Sequence, residues 1–100
     1  MNIYKTKFFA RCPANGVRIE YSLTIQTGNV IEVEALISEV ESIKSGLHED
    51  IADRLLSAFG GSQVMTADHH GVNIQTIRPH MAHWHPSDPT PSSAAAKGDV

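Results

Sequence analysis

Val17-Arg18-Ile19-Glu20-Tyr21-Ser22-Leu23-Thr24-Ile25-Gln26 alternates apolar and polar residues without a break. Successive side chains of a strand point to opposite faces, so this stretch predicts a strand with Val17, Ile19, Tyr21, Leu23 and Ile25 buried and the intervening residues facing water. Just upstream, Asn15-Gly16 is a strong two-residue hairpin signal, because both residues accept the positive φ of a type I′ turn. A loop of that length would pair Cys12 with Ile19, Ala10 with Tyr21, Phe8 with Leu23 and Arg11 with Glu20. Apolar then meets apolar and cation meets anion, which supports a first strand over Ile3 to Cys12.

Downstream, Val33, Leu36, Ile37, Val40 and Ile43 follow the spacing of a helix with one buried stripe, and Gly46 is placed to end it. His48-Glu49-Asp50 puts acids into the first turn of a second helix, with Ile51, Leu55, Ala58 and Phe59 inward and Gly60-Gly61 as its stop. Val64 to Asp68, a turn at His70-Gly71, and the alternating run Val72 to Ile77 read as a second hairpin, closed by Arg78-Pro79. Two strands, two helices and two strands predict an α+β unit, ββααββ: an antiparallel four-stranded sheet with both helices on one face.

The chain has 100 residues, 41% of them hydrophobic, which suits a single domain. Bulky apolar residues thin out after Pro79, so residues 1–79 are expected to hold the domain and 80–100 to form a disordered tail. That tail carries His80, His83 and His85 around Trp84, to which no catalytic role is assigned. A net charge of −3 without any basic run argues against a nucleic-acid partner held through a phosphate-neutralising stripe, and leaves a nucleotide-sized ligand open. No apolar run approaches the roughly 20 residues that span a bilayer, and the start, Met1 to Lys5, lacks a signal-peptide core, so the chain reads as soluble and cytoplasmic with no membrane partner. The lone Cys12 makes no internal disulfide and excludes a multi-cysteine zinc module. A domain this small buries only about 60 to 70% of its unfolded surface. Closing identical sheets into a barrel across subunits would enlarge the core and cover both sheet edges, which predicts a symmetric homo-oligomer.

This element order resembles the tunnelling fold, whose members assemble through their sheets and bind purine- or pterin-like rings between subunits, anchored by a glutamate. Three segments resemble 7-cyano-7-deazaguanine reductases in particular: Cys12-Pro13-Ala14-Asn15-Gly16, Val33-Glu34 entering the first helix, and Leu47-His48-Glu49-Asp50 opening the second. The resemblance covers most of residues 8–59. It implies Cys12 as a nucleophile that attacks a nitrile, His48 as its catalytic companion, and Glu49 and Glu34 as substrate-binding carboxylates. The family places an acidic proton donor seven residues after the cysteine, where this chain has Ile19, and its Ser-Lys-Ser-Leu-Lys cofactor run has no counterpart after Val33-Glu34. The cofactor is therefore left open. Ala67-Asp68-His69-His70 is similar to the histidine region of GTP cyclohydrolases of the same fold, with an incomplete ligand set, so no metal is assigned.

Each candidate also has a plainer reading. Cys12 lies on the apolar strand face, and free cysteine is among the most buried residue types, so it serves equally as core filler. Glu49 in a first helical turn compensates the helix dipole whether or not it holds a ligand. Of His69 and His70 only one can join a site, since neighbours on a strand face opposite ways. Two functions remain in view: a heterocycle-binding, cysteine-dependent enzyme of 7-deazaguanine metabolism, or a noncatalytic ligand-binding or assembly protein on the same fold.

Overall fold

The computed structural model of the chain describes residues 1–79. The expected tail, with His80, His83, Trp84 and His85, lies outside the described residues. The elements run β1 (Asn2–Arg11), β2 (Arg18–Thr27), α1 (Val33–Ser42), α2 (His48–Phe59), β3 (Ser62–His69) and β4 (Val72–Arg78). One antiparallel sheet has the order β1-β2-β3-β4, so the two helices fill the connection between neighbouring strands β2 and β3. The inward residues of the strands and Leu36, Val40, Ile43, Ile51, Ala52 and Leu55 form one core, which places both helices on the same face.

The alternation in β2 is realised as read: Ile19, Tyr21, Leu23 and Ile25 are buried, with Tyr21 stacked on Phe8 at 5.1 Å between ring centroids. Val17, however, lies outside the strand and is exposed. The β1–β2 register also differs from the expectation. Phe8 faces Tyr21, Ala10 faces Ile19 and Arg11 faces Arg18, a slip of two residues. The turn is the physical reason: Gly16 takes a positive φ (72°) but Asn15 does not, so the type I′ pair is not formed, and Pro13, with its φ fixed near about −65°, joins a four-residue loop. The strands instead end at Arg11 and Arg18, and the wider loop is closed by Cys12 N–H to Val17 C=O (2.9 Å), Gly16 N–H to Cys12 C=O (2.7 Å) and Val17 N–H to Asn15 Oδ1 (3.0 Å). Two residues is one side-chain period, so the slip keeps every residue on its expected face while exchanging its partners.

α1 is shorter than its stripe. It ends at Ser42, ahead of Gly46, because Ile43 turns extended and drops into the core. Lys44 to Gly46 then runs beside β1, where Arg11 N–H donates to Lys44 C=O (2.9 Å) and Gly46 N–H to Arg11 C=O (3.3 Å). Leu36 and Val40 are buried, whereas Val33 and Ile37 are 55% and 44% exposed: the helix rests on the rim of the sheet at β1 and buries only a narrow strip. In α2 the inward set is Ile51, Ala52 and Leu55 with half-buried Phe59, while Ala58 is exposed. Gln63 of β3 closes that helix, its Nε2 donating to Leu55 C=O (3.1 Å) and Gly60 C=O (2.7 Å). Gly61 follows with φ +72°, and a Cβ there would sit 2.6 Å from Gln26 C=O, so only glycine lets the chain pass this close to β2. At the far end of β3, His70 (φ 54°) and Gly71 (φ 85°) make the tight turn into β4.

Candidate functional site

The sheet end formed by the C-termini of β1 and β3 and the N-termini of β2 and β4 meets the start of α2. There a pocket of about 170 Å³ opens. Its polar groups come from Cys12, His48 and His69, and its apolar walls from Ile19, Tyr21, Ala67 and Ile74, with Gly46 and Leu47 closing one side. Cys12 reaches it because the strand stops at Pro13 and the loop turns the residue inward, leaving its thiol free and largely buried. His48 reaches it as the first residue of α2, its ring tilted against Tyr21 at 5.4 Å. The structure thus brings together the two residues read as catalytic.

His48 Nε2 and His69 Nε2 are both buried with no hydrogen-bond partner among the described residues. A buried imidazole nitrogen without a partner forfeits the hydration it had in water, so two of them on one pocket call for a polar occupant. Burial lowers the His48 pKa below the ordinary imidazole value, helped by Arg78 and His69 and opposed by the Met65 main chain and the Glu49 carboxylate. Its imidazole is therefore neutral at pH 7 and able to accept a proton. Burial, with Cys12 second, raises the Tyr21 pKa, so its phenol stays protonated.

Strand alternation and the turn decide between the two β3 histidines. His69 faces the pocket, while His70 occupies the exposed turn, its ring stacked on that of His69 at 4.7 Å and its Nε2 3.4 Å from Asn15 Nδ2. No group of three His, Cys, Asp or Glu among the described residues is arranged to hold a metal ion.

Glu49 lies next to the pocket but outside it. Its side chain is 77% exposed on the side of α2 that faces β4, with Arg78 Nη2 3.5 Å from its Oε1. Glu34, in the first turn of α1, is exposed at the β1 side of the molecule and does not join Cys12 and His48 within one chain. Sequence reasoning missed Arg78. It is 6% exposed, with Nε on Asp53 Oδ1 at 2.7 Å and Nη1 on Ile77 C=O at 3.1 Å, and so ties β4 to α2. The signal was available: Ile74, Thr76 and Arg78 share the inward phase of β4, and a cation on a buried phase demands an acid opposite.

Compared with solved structures, the chain is similar to the archaeosine synthase QueF-Like in its apo form, with a TM-score of 0.56 and 20% identity over 76% of this chain and 88% of that one. At that identity the likeness is one of fold, and with the ββααββ order it makes the tunnelling-fold unit the fold of this chain. A scan against protein-family models and a search of curated proteins each find no match. No helix among the described residues is long and apolar enough to cross a membrane.

Proposed function

We propose that the chain is the subunit of a homo-oligomer that binds a purine-, 7-deazaguanine- or pterin-like heterocycle between subunits and acts on it through Cys12. The observation that carries this reading is the pocket itself: one thiol and two imidazole nitrogens without partners face the same space. At about 170 Å³ it is smaller than the roughly 300 to 1,000 Å³ of a self-contained ligand site, as half of a shared site would be. The outer edge of β4 and most of that of β1 are unpaired among the described residues. Pairing the β1 edge of one subunit with the β4 edge of the next would extend the sheet. Since α1 rests at β1 and α2 at β4, the same pairing would carry Glu34 of one subunit toward Glu49 of its neighbour. Glu49, exposed and steadied by Arg78, can accept two N–H groups from a guanine-like ring edge.

In the chemical step neutral His48 takes the Cys12 proton, and the thiolate adds to an electrophilic C≡N or C=N carbon of the ring substituent. One C–S bond forms, the π pair moves to nitrogen, and the imidazolium returns the proton there. His69, on the same pocket, orients that nitrogen. The resemblance in fold to a 7-deazaguanine-related synthase supports the ligand class. A second reading, noncatalytic binding on the same scaffold, is favoured by Ile19, which places an apolar wall beside Cys12.

Native mass spectrometry of the full chain tests the assembly and the ligand together. Multiples of the 10.9 kDa subunit are expected, with retained small-molecule mass that is lost in Glu49→Gln. Alkylation by iodoacetamide separates the two readings: a catalytic Cys12 reacts in the folded protein and slows in His48→Gln, while a purely structural one resists in both. A monomer under gentle conditions would overturn the shared site.

A further inference from the structure

Cationic charge in this acidic chain is segregated. Among the described residues, Arg54 pairs with Glu39, and Arg78 with Asp53 and Glu49. Lys5, Lys7, Arg11, Arg18 and Lys44 pair with no acid there, and all of them sit on β1, at the start of β2, or on the linker beside β1. At the C-terminal end of β1, Phe9, Arg11, Arg18, Lys44 and Ser45 line a second pocket of about 360 Å³. Arg11 faces Arg18 directly in the strand pair, and like charges in that position work against the sheet. Glu20, opposite Phe9 on the same face, makes an ion pair with neither.

Both guanidiniums are held by neutral groups instead. Arg11 Nη1 donates to Gly16 C=O at 2.9 Å, and Arg18 lies over the Phe9 ring at 3.7 Å from its centroid. Positioned and not neutralised, their remaining N–H groups are preset for an oxyanion, which lowers the ordering cost of binding one. We propose that this pocket binds a phosphate group, as inorganic phosphate or as the phosphate monoester of a nucleotide. The site is distinct from the thiol pocket. The Lys44–Leu47 linker stands between them, with Lys44 and Ser45 on one side and Gly46 and Leu47 on the other. Its occupancy is independent of the proposed chemistry at Cys12.

The test is an NMR titration of the ¹⁵N-labelled full chain, following the Arg Nε–H signals, with inorganic phosphate, adenosine 5′-monophosphate and adenosine as separate arms. Saturable shifts at Arg11 and Arg18 with phosphate are expected at a dissociation constant on the order of 1 mM or below. Arg18→Gln should weaken binding about tenfold by removing one charge-assisted partner. Lys5→Gln, which removes the same charge farther along β1, should change it less than about twofold. Tighter binding of the nucleotide than of phosphate assigns the site to a phosphate monoester, and equal binding assigns it to the free anion. Three results would overturn the proposal: no saturable shift with phosphate, adenosine shifting the same signals as its monophosphate, or Lys5→Gln as damaging as Arg18→Gln.

Discussion

Gln63 anchors the far end of the helix that presents His48, and replacing it separates hydrogen bonding from packing. Its amide is 3% exposed, and its Nε2 serves two helix-terminal acceptors, Leu55 C=O and Gly60 C=O. Gln63→Leu keeps the volume, takes the partner from Gly60 C=O and leaves Leu55 C=O with only the intrahelical N–H of Phe59. Leu55 C=O keeps a partner and the partly buried Gly60 recovers water, so the expected cost is that of the two lost bonds, about 1 kcal/mol each and about 2 kcal/mol together. Gln63→Glu keeps the shape but turns a donor into a carboxylate aimed at two carbonyl oxygens. The folded state tolerates it only as the neutral acid, which still donates one bond. Holding that acid neutral at pH 7 against an ordinary pKa of about 4.3 costs up to about 3.7 kcal/mol, in addition to about 1 kcal/mol for the lost bond. The introduced carboxyl has its folded pKa raised, so its stability is fully present below the unfolded pKa and is lost as pH rises. The two variants therefore exchange order. Gln63→Glu is the less stable near pH 7 and the more stable near about pH 4.5, each compared with wild type at the same pH. Urea unfolding followed by far-ultraviolet circular dichroism measures all three proteins. A Gln63→Glu penalty independent of pH, or an order that never reverses, would refute the assignment of Nε2 as the clamp on α2.

The Arg78 bridge predicts an asymmetry. Asp53→Ala leaves a nearly buried guanidinium with one distant acid and should cost about 1 to 2 kcal/mol, while Arg78→Met leaves two exposed acids and should cost under about 1 kcal/mol; thermal melts showing the reverse order would contradict the geometry. His48, with its pKa lowered by burial, should titrate below the ordinary imidazole range in ¹H–¹⁵N spectra. Its contribution to stability is present above the unfolded value of about 6.5 and declines as pH falls through the folded pKa, so His48→Gln should flatten the pH dependence of stability in that window.

Much of the fold was legible because it rests on short-range periods. Ile19 to Ile25 recur every second residue, Ile51 and Leu55 one helical turn apart, and His70-Gly71 supplies the backbone freedom of a tight turn. Helix ends were less legible, since Ile43 left α1 for the core before Gly46 was reached and Val33 and Ile37 had no sheet beneath them. In the candidate site, Cys12 and His48 were readable from local segments. Strand alternation admits only one of His69 and His70 without saying which, and Arg78 gives only a phase signal on β4.

The amino-acid sequence by itself determined which residues turn inward, because a strand or helix face depends on neighbours a few positions away. It also determined that Cys12 and His48 each end up at the boundary of an element, through Pro13 and the start of α2. The tertiary structure alone decided who meets whom. The wider loop over Pro13 to Gly16 moved the β1–β2 pairing by one full side-chain period, which left every face intact while setting Arg18 opposite Arg11 in place of Glu20. Pairing β2 with β3 across both helices made one pocket of Cys12, His48 and His69. The linker carried Lys44 to the two arginines, so that a chain with a net charge of −3 and no basic run acquired a cationic corner. Charge and polar demand are summed over space, and sheet order, which local pattern does not encode, sets the distances in that sum.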